Sequence, residues 1–362
     1  MADTESVSRD DLIVCACGNQ EFSARDAIDA ALFRGELDSK WKEFLRCVES
    51  EKRADELDLD LDDDAIATAA EAFRYEHDLI TAEETEAFLA NRGLTLDDFT
   101  DYFTRHYCAS AITEKVPSED IDYISASSEL RQVFIAEAIL SGELDRMTTE
   151  LMWRLAVRCA EKEVDSETLA AEERSFLDRN KIEPAQLSNW LERLGRDLEW
   201  FNEMVAMEAM YRRRCDVLLV PQARQRELVM LRLPLTRFET EVIELESHDA
   251  AQEALFCVRE DGMSMEEVAI EGRYPYRRVD FLFEDIPSDA QQRFLSVSAG
   301  DVLEPVARGD GFELCRIIEK IEPKPDDPSI KVHIDQRLLS RHFSELASKY
   351  TQRRLGALTS AE

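Results

Sequence analysis

The chain has 362 residues, enough for two or three domains. Its 78 acidic and 44 basic residues give a formal net charge of -34, which repels phosphate backbones and anionic headgroups and argues against nucleic acid or a membrane surface as partner. With 44% hydrophobic residues, 17 Phe and 4 Trp, the chain can build real cores, so the acidity belongs to the solvated faces of a soluble, folded protein.

The N-terminal stretch MADTESVSRDDLIVCACGN lacks a basic start followed by an apolar run, and apolar stretches such as Val217–Val220 are far too short to span a bilayer. Neither a signal peptide nor membrane insertion is expected. Eight cysteines, at 15, 17, 47, 108, 159, 215, 257 and 315, are scattered without the spacing of a disulfide scaffold, which points to a reducing cytoplasm. The C-x-C at Cys15 and Cys17 has no second pair at ligand spacing, so it is read as two small apolar residues and no metal is expected.

Ser23 with Asp26 forms a capping box, and the run through Leu32 leads by GELD at 35–38 into Trp41, Phe44, Leu45 and Val48 at helical spacing. This is a helical hairpin. The acidic stretch Asp55–Asp64 reads as a solvated connection or a helix start, because it lacks the glycine and final glutamate of a calcium loop. Thr81 with Glu84 and Thr95 with Asp98 cap two more helices, and Gly93 separates them. GELD then recurs at 142–145, 107 residues on, and FLANRGLTLDDF at 88–99 recurs as WLERLGRDLEWF at 190–201, 102 residues on. Gly93 pairs with Gly195, Leu96 with Leu198, Phe99 with Phe201 and Ile80 with Ile182, so a helical unit of about a hundred residues occurs twice. The second copy has a stripe at Met152, Leu155, Ala156 and Cys159, a helix opened by Pro184, and Leu198, Phe201 and Val205 beyond Gly195. The expected divisions are 1–116, a linker at 117–127, and 128–233.

Beyond residue 233 the texture changes to strand (Thr240–Glu246), helix (Asp249–Arg259), a second helix, strand (Val279–Phe283) and short helix (Ser288–Leu295). A hairpin follows, from Val302–Ala307 through a turn at Arg308–Gly311 to Phe312–Ile318. Asp327–Tyr350, with Leu338, Leu339, Phe343 and Leu346, closes the chain as a helix expected to pack on the helical units and not on the strands. The fold class is α+β and predominantly helical: two repeated helical units, a small α/β domain at 234–323, and a returning helix at 324–362.

RGLTLDDF and RLGRDLEWF, then a strand, the EALFCVREDGMSMEEVA helix pair, GDVLEPV, GDGFELCRI and a returning helix, together resemble the SurA/PpiC-type parvulin chaperones over about residues 130–350. The resemblance implies a SurA-N-like helical domain that handles peptides and a parvulin domain that isomerises prolyl bonds. A parvulin pocket uses two inward histidines, an aromatic and a Met or Leu; carried onto this chain, those places fall at Glu241, Glu313, Ala290 and Ile286. Two glutamates brought close would repel, and Ala290 would forfeit roughly 150 Å² of ring burial. The pocket is therefore degenerate.

His248 opens a helix, and His77, His106, His333 and His342 lie on helical patterns without a catalytic partner. Cys257 and Cys315 read as core thiols, and neither a phosphate loop nor a serine elbow is present. No cofactor and no catalytic residue is expected. The resemblance then implies a catalytically silent cytoplasmic chaperone or adaptor for a peptide or unfolded client, such as a precursor peptide of a biosynthesis or export pathway. The alternative is an active prolyl isomerase with an atypical pocket. Phe99, Tyr102, Phe103, Trp190, Trp200 and Phe201 are the candidate peptide-binding residues, although helical spacing makes most of them core. Trp200 and Phe201 are adjacent and cannot both face one core, so one should be exposed. The charge favours a basic or mixed client, and the oligomeric state stays open.

Overall fold

The computed structural model describes residues 8–112, 121–161 and 164–355. It divides into two units, Met1–Asp216 with Arg341–Glu362, and Val217–Ser340.

The first unit opens with a hairpin of β1 (Ile13–Cys17) and β2 (Gln20–Ser23), and then repeats one five-helix pattern twice. The first copy is α1 (Ala24–Phe33), α2 (Leu37–Glu56), α3 (Asp63–Glu76), α4 (Ala82–Ala90) and α5 (Leu96–Ala111); the second is α6 (Ser128–Leu140), α7 (Glu143–Ala160), α8 (Ser166–Asn180), α9 (Leu187–Leu194) and α10 (Leu198–Leu218). All three capping boxes read from the sequence form, at Ser23, Thr81 and Thr95. The turns match between copies as well. Gly35 and Gly142 both take left-handed φ, +74° and +76°, between the first two helices, and Gly93 and Gly195 do so three residues before α5 and α10. Asp78 and Lys181 are left-handed too, and the amides that follow, of Leu79 and Ile182, close back on Arg74 and Leu177. This turn pairs Ile182 with buried Leu79, one residue before the sequence pairing, and leaves Ile80 60% exposed.

The copies interlock. The first helix of each packs on the second of the other, α1 on α7 and α6 on α2, and α5 lies against both α2 and α6. One apolar core therefore runs through both, from Phe33, Trp41 and Phe134 to Met147, Phe176 and Phe201. Of the expected linker, residues 117–120 lie outside the described residues, whereas 121–127 are part of the packing: Trp41 Nε1 donates to the Ile121 carbonyl at 2.7 Å and its ring meets Tyr123 edge-on at 5.3 Å. A three-residue strand, β7 (Thr351–Arg353), pairs with β1 and completes a sheet of order β2-β1-β7. Cys17 Sγ, at the end of β1, lies 2.9 Å from Cys159 Sγ on α7.

Some charge is also buried. Arg154 is bonded to Glu150 and Glu208, with the Tyr211 ring 3.9 Å from its guanidinium carbon. Asp29 accepts from Arg196 at 2.7 Å, yet its burial outweighs the arginines and its carboxyl is pushed up to about 6.

The second unit begins at α11 (Pro221–Met230) and continues with β3 (Arg237–Leu245), α12 (His248–Arg259), α13 (Met265–Gly272), β4 (Tyr276–Leu282), α14 (Ser288–Ser296), β5 (Val306–Arg308) and β6 (Gly311–Ile321). The strands form one antiparallel sheet of order β4-β3-β6-β5. Strand alternation gives it two apolar faces. Ile243, Leu245 and Leu314 pack under Ala251 and Leu255 of α12 and Met265 and Val268 of α13. On the other side Phe238 and Ile317 pack with Phe283, Ile286 and α14.

The last helix, α15 (Pro328–Tyr350), contributes to each unit in turn. Its Ile330 and Ile334 join Leu228 and Leu235, but Leu282 of β4 also packs there, so this part touches a strand as well as a helix. Further along, Phe343 is fully buried against Trp153 and Tyr211, at ring distances of 5.8 and 4.6 Å.

Two outcomes follow from this packing. A Cβ at Gly195 would sit 2.7 Å from Arg25 Nη2, in a left-handed conformation that already disfavours it. Gly195→Ala should therefore lower the unfolding free energy by about 1–2 kcal/mol in chemical denaturation. Asp29 holds its proton more tightly folded than unfolded, so its contribution to stability is complete below its unfolded pKa and is lost as pH rises through about 6. Relative to Asp29→Asn, the wild type should lose on the order of 3 kcal/mol between pH 3.5 and 7.

Candidate functional site

The four pocket positions carried over from the sequence resemblance fall in the second unit, and the sheet separates them. In β3, Glu241 points to the same side as Ile243 and Leu245, whereas Glu313 of β6 is paired with Glu244 and points to the other. The expected repulsion between the two glutamates is therefore absent. Each has its own cations: Glu241 accepts from the Tyr276 hydroxyl at 2.8 Å and Arg278 at 3.2 Å, and Glu313 accepts from Arg277 at 2.8 Å and Arg308 at 2.9 Å. Thr240 and Val242, like Glu244, are β3 residues that share Glu313's face.

Ile286 is buried on that face and Ala290 packs beside it, but the ring surface that Ala290 was expected to forfeit is supplied one turn later by Phe294. Phe294 stands edge-on to Phe238 and Phe281, at 5.7 and 5.5 Å, and covers the apolar ground between them. Cys315 also lies on this face, where burial pushes its thiol up to about 12 and keeps it protonated at neutral pH. The face thus presents aromatic packing at one end and arginine–glutamate pairs at the other. No described histidine lies on these strands. His248 is the first residue of α12 and is exposed, and His333 meets Glu284 at 2.9 Å on α15.

Of the six candidate peptide-binding residues, Phe201 is core, and Tyr102, Trp190 and Trp200 are half-buried against the same core. Trp200 is the less buried of the adjacent pair, but it is not free: its edge meets Phe33 at 6.2 Å and the Arg196 guanidinium carbon lies 5.4 Å from its ring centre. Phe99 and Phe103 are different. Although buried, they form the floor of a groove of about 500 Å³ between α3, α4 and α5.

Small and apolar side chains make this groove. Ile66, Ala67 and Ala70 come from α3, Ala82 and Thr85 from α4, and Leu96, 58% exposed, from the start of α5. The turn-matched residues of the second copy are bulkier at two key places, Glu173 for Ala70 and Leu187 for Thr85. Asp63, Glu71 and Glu86 line the rim, with Arg74 among them donating to the Leu79 and Ile80 carbonyls. An apolar floor under an acidic rim suits an apolar side chain flanked by basic ones. The aromatics Phe99 and Phe103 were legible in the sequence, but the alanines and threonine that open the space above them carry no signal until α3 and α4 are placed.

No family model matches the chain, and no curated protein matches it. Among solved structures it is similar to the peptidylprolyl isomerase PrsA of Bacillus anthracis, with 14% identity over 56% of this chain and 94% of that one at a TM-score of 0.30. It is similar to PrsA of Bacillus cereus, with 13% identity over 59% and 85% at a TM-score of 0.34. A SurA-like chaperone of Campylobacter jejuni shows 10% identity over 60% and 89% at a TM-score of 0.20. The chain resembles PrsA and SurA-like chaperones. Its second unit has the strand, helix pair, strand, helix and hairpin order read from the sequence. Among the described residues no helix is long and apolar enough to cross a membrane, and no cluster of three or more His, Cys, Asp and Glu is arranged to hold a metal.

Proposed function

We propose that this protein is a chaperone or adaptor that holds a basic, partly apolar peptide segment of an unfolded client and does not catalyse prolyl isomerisation. The observation that carries the reading is the groove of α3–α5, apolar within and acidic at its rim, on a chain of charge -34. Apolar contact would hold the client, and the charge would speed the approach of basic segments and slow acidic ones. The absence of catalysis is supported by the sheet face around Glu313. A proline ring needs an open apolar pocket beside groups that accommodate a twisting carbonyl, and here Phe294 covers the apolar ground and arginines neutralise the glutamate.

Leu96→Asp tests the groove with little risk to folding, because the residue is exposed and an acid is well tolerated in the first turn of a helix. It should weaken binding of a fluorescent basic–apolar peptide at least tenfold in anisotropy titrations and leave the melting temperature unchanged. Unchanged affinity would remove the groove from the reading. In a proline-tetrapeptide assay the wild-type chain should not exceed the uncatalysed rate. Acceleration would establish the active isomerase in its place.

The same proposal locates the protein in the cytoplasm, supported by eight cysteines scattered without the spacing of a disulfide scaffold. Cys17 and Cys159, with sulfurs 2.9 Å apart, are its most sensitive reporters. In cells quenched with an alkylating agent both should be recovered as alkylated thiols by peptide mapping; a disulfide between them would overturn the location.

A further inference from the structure

The internal duplication gives every place in the first copy a counterpart in the second, and one matched pair of places differs in kind. Where α2, α5 and α6 meet there is a cavity of about 180 Å³, walled by Phe44 and Phe134 and bordered by Cys47, His106, Glu137 and Ser141. Aligned on the turn glycines, the matching place is where α7, α10 and α1 meet. Cys47 corresponds there to Arg154, Ser141 to Arg34, and His106 to Glu208. Both arginine side chains are buried, 5% and 4% exposed, and they occupy that interior. In the first copy a thiol and a hydroxymethyl stand in their place, and the space remains.

Two carboxylates are common to both places. Glu43 corresponds to Glu150, and Glu143 to Glu36. Glu150 is bonded to Arg154, and Glu36 to Arg34 at 2.8 Å. In the first copy Glu143 is satisfied by Lys40 and Arg146, both at 2.7 Å, and Glu137 by Arg105 and His106. Among the described residues Glu43 is paired with Lys40 alone, at 3.5 Å, and Lys40 belongs chiefly to Glu143. The cavity therefore has one under-neutralised carboxylate at its mouth and two phenyl rings as walls, where the second copy has Arg154 between Glu150 and the Tyr211 ring. Cys47 is no nucleophile here, since burial pushes its thiol up to about 11.

We propose that this cavity is a socket for a guanidinium group, which pairs with Glu43 as Arg154 pairs with Glu150 and lies against the wall formed by Phe44 and Phe134, whose rings meet edge-on at 5.4 Å. A planar cation that hydrogen-bonds in a fork fits a carboxylate beside aromatic walls better than a compact ammonium does. The guanidinium can belong to an arginine side chain of a peptide or to free arginine. If it is a peptide's, the socket adds a basic-residue preference to the proposed peptide binding.

Titration calorimetry of the full chain with three probes, Gly-Arg-Gly blocked at both ends, its citrulline analogue, and free arginine, tests the assignment. The arginine peptide should bind at least tenfold more tightly than the citrulline peptide, which is of equal shape and uncharged. Glu43→Gln should weaken binding at least tenfold, and Cys47→Arg, which restores the arrangement of the second copy, should abolish it. If Cys47→Arg does not fold, the citrulline comparison and Glu43→Gln, at an exposed position, carry the test. Binding of free arginine alone assigns the socket to the small molecule, and binding of both assigns it to the side chain. Equal affinity for citrulline, or binding unaffected by Glu43→Gln, would overturn it. Leu96→Asp should leave arginine binding intact, so failure of the socket and failure of the groove are read separately.

Discussion

The reciprocal seating of the two helical copies is the constraint on which the first unit depends. With α1 on α7 and α6 on α2, neither copy can bury its apolar stripe without the other. The core is correspondingly shared, and the matched left-handed turns at Gly35 and Gly142, and at Gly93 and Gly195, hold the two backbones to one pattern. A framework pinned in this way tolerates divergence at paired positions. Phe73 gathers Phe88 and Phe99 around itself, as Phe176 gathers Trp190 and Phe201, yet small residues leave a groove beside the first cluster. Arginines fill one inter-copy niche and leave its partner hollow.

The sheet of the second unit shows a different economy of charge. Its arginine–glutamate pairs join solvent-exposed arginines to buried Glu241 and half-buried Glu313, and with one partner of each in water they are not what holds the sheet together. Stability comes from the apolar layers, with α12 and α13 on one side and the phenylalanine cluster with α14 on the other. What the ion pairs alter is the character of the surface: an edge that could have been apolar and receptive is polar and already satisfied.

The helices were legible because their signals are local. Capping boxes at Ser23, Thr81 and Thr95, glycine stops and 3.6-residue stripes each speak for a few neighbouring residues. The strands β1 and β7 were missed because they are only five and three residues long, and in β1 Val14 to Cys17 are all buried, which erases the alternation that identifies a strand. The placing of Glu241 beside Glu313 failed for a related reason: a shift of one residue along a strand reverses the face, and Thr240, not Glu241, points with Glu313. The niche residues Cys47, His106 and Glu137 come from three helices and share no motif. A signal was nonetheless present, since the duplicated sequence sets Cys47 opposite an arginine that no core position would carry without a reason.

Strand β7 ties residues 351–353 to residues 15–17, with the whole of the second unit between them in sequence. During synthesis β1 is therefore made with only β2 for a neighbour, and its other edge stays open while more than 330 further residues are added. An open edge is a template for mispairing, and a contact of such sequence separation is slow to find. Residues 217–340, by contrast, have all been made before the closing strand exists, so the inserted unit can fold before the unit that surrounds it in sequence is finished. A protein proposed to hold unfolded segments of others is thus, in its own biogenesis, an incompletely paired chain for most of its translation.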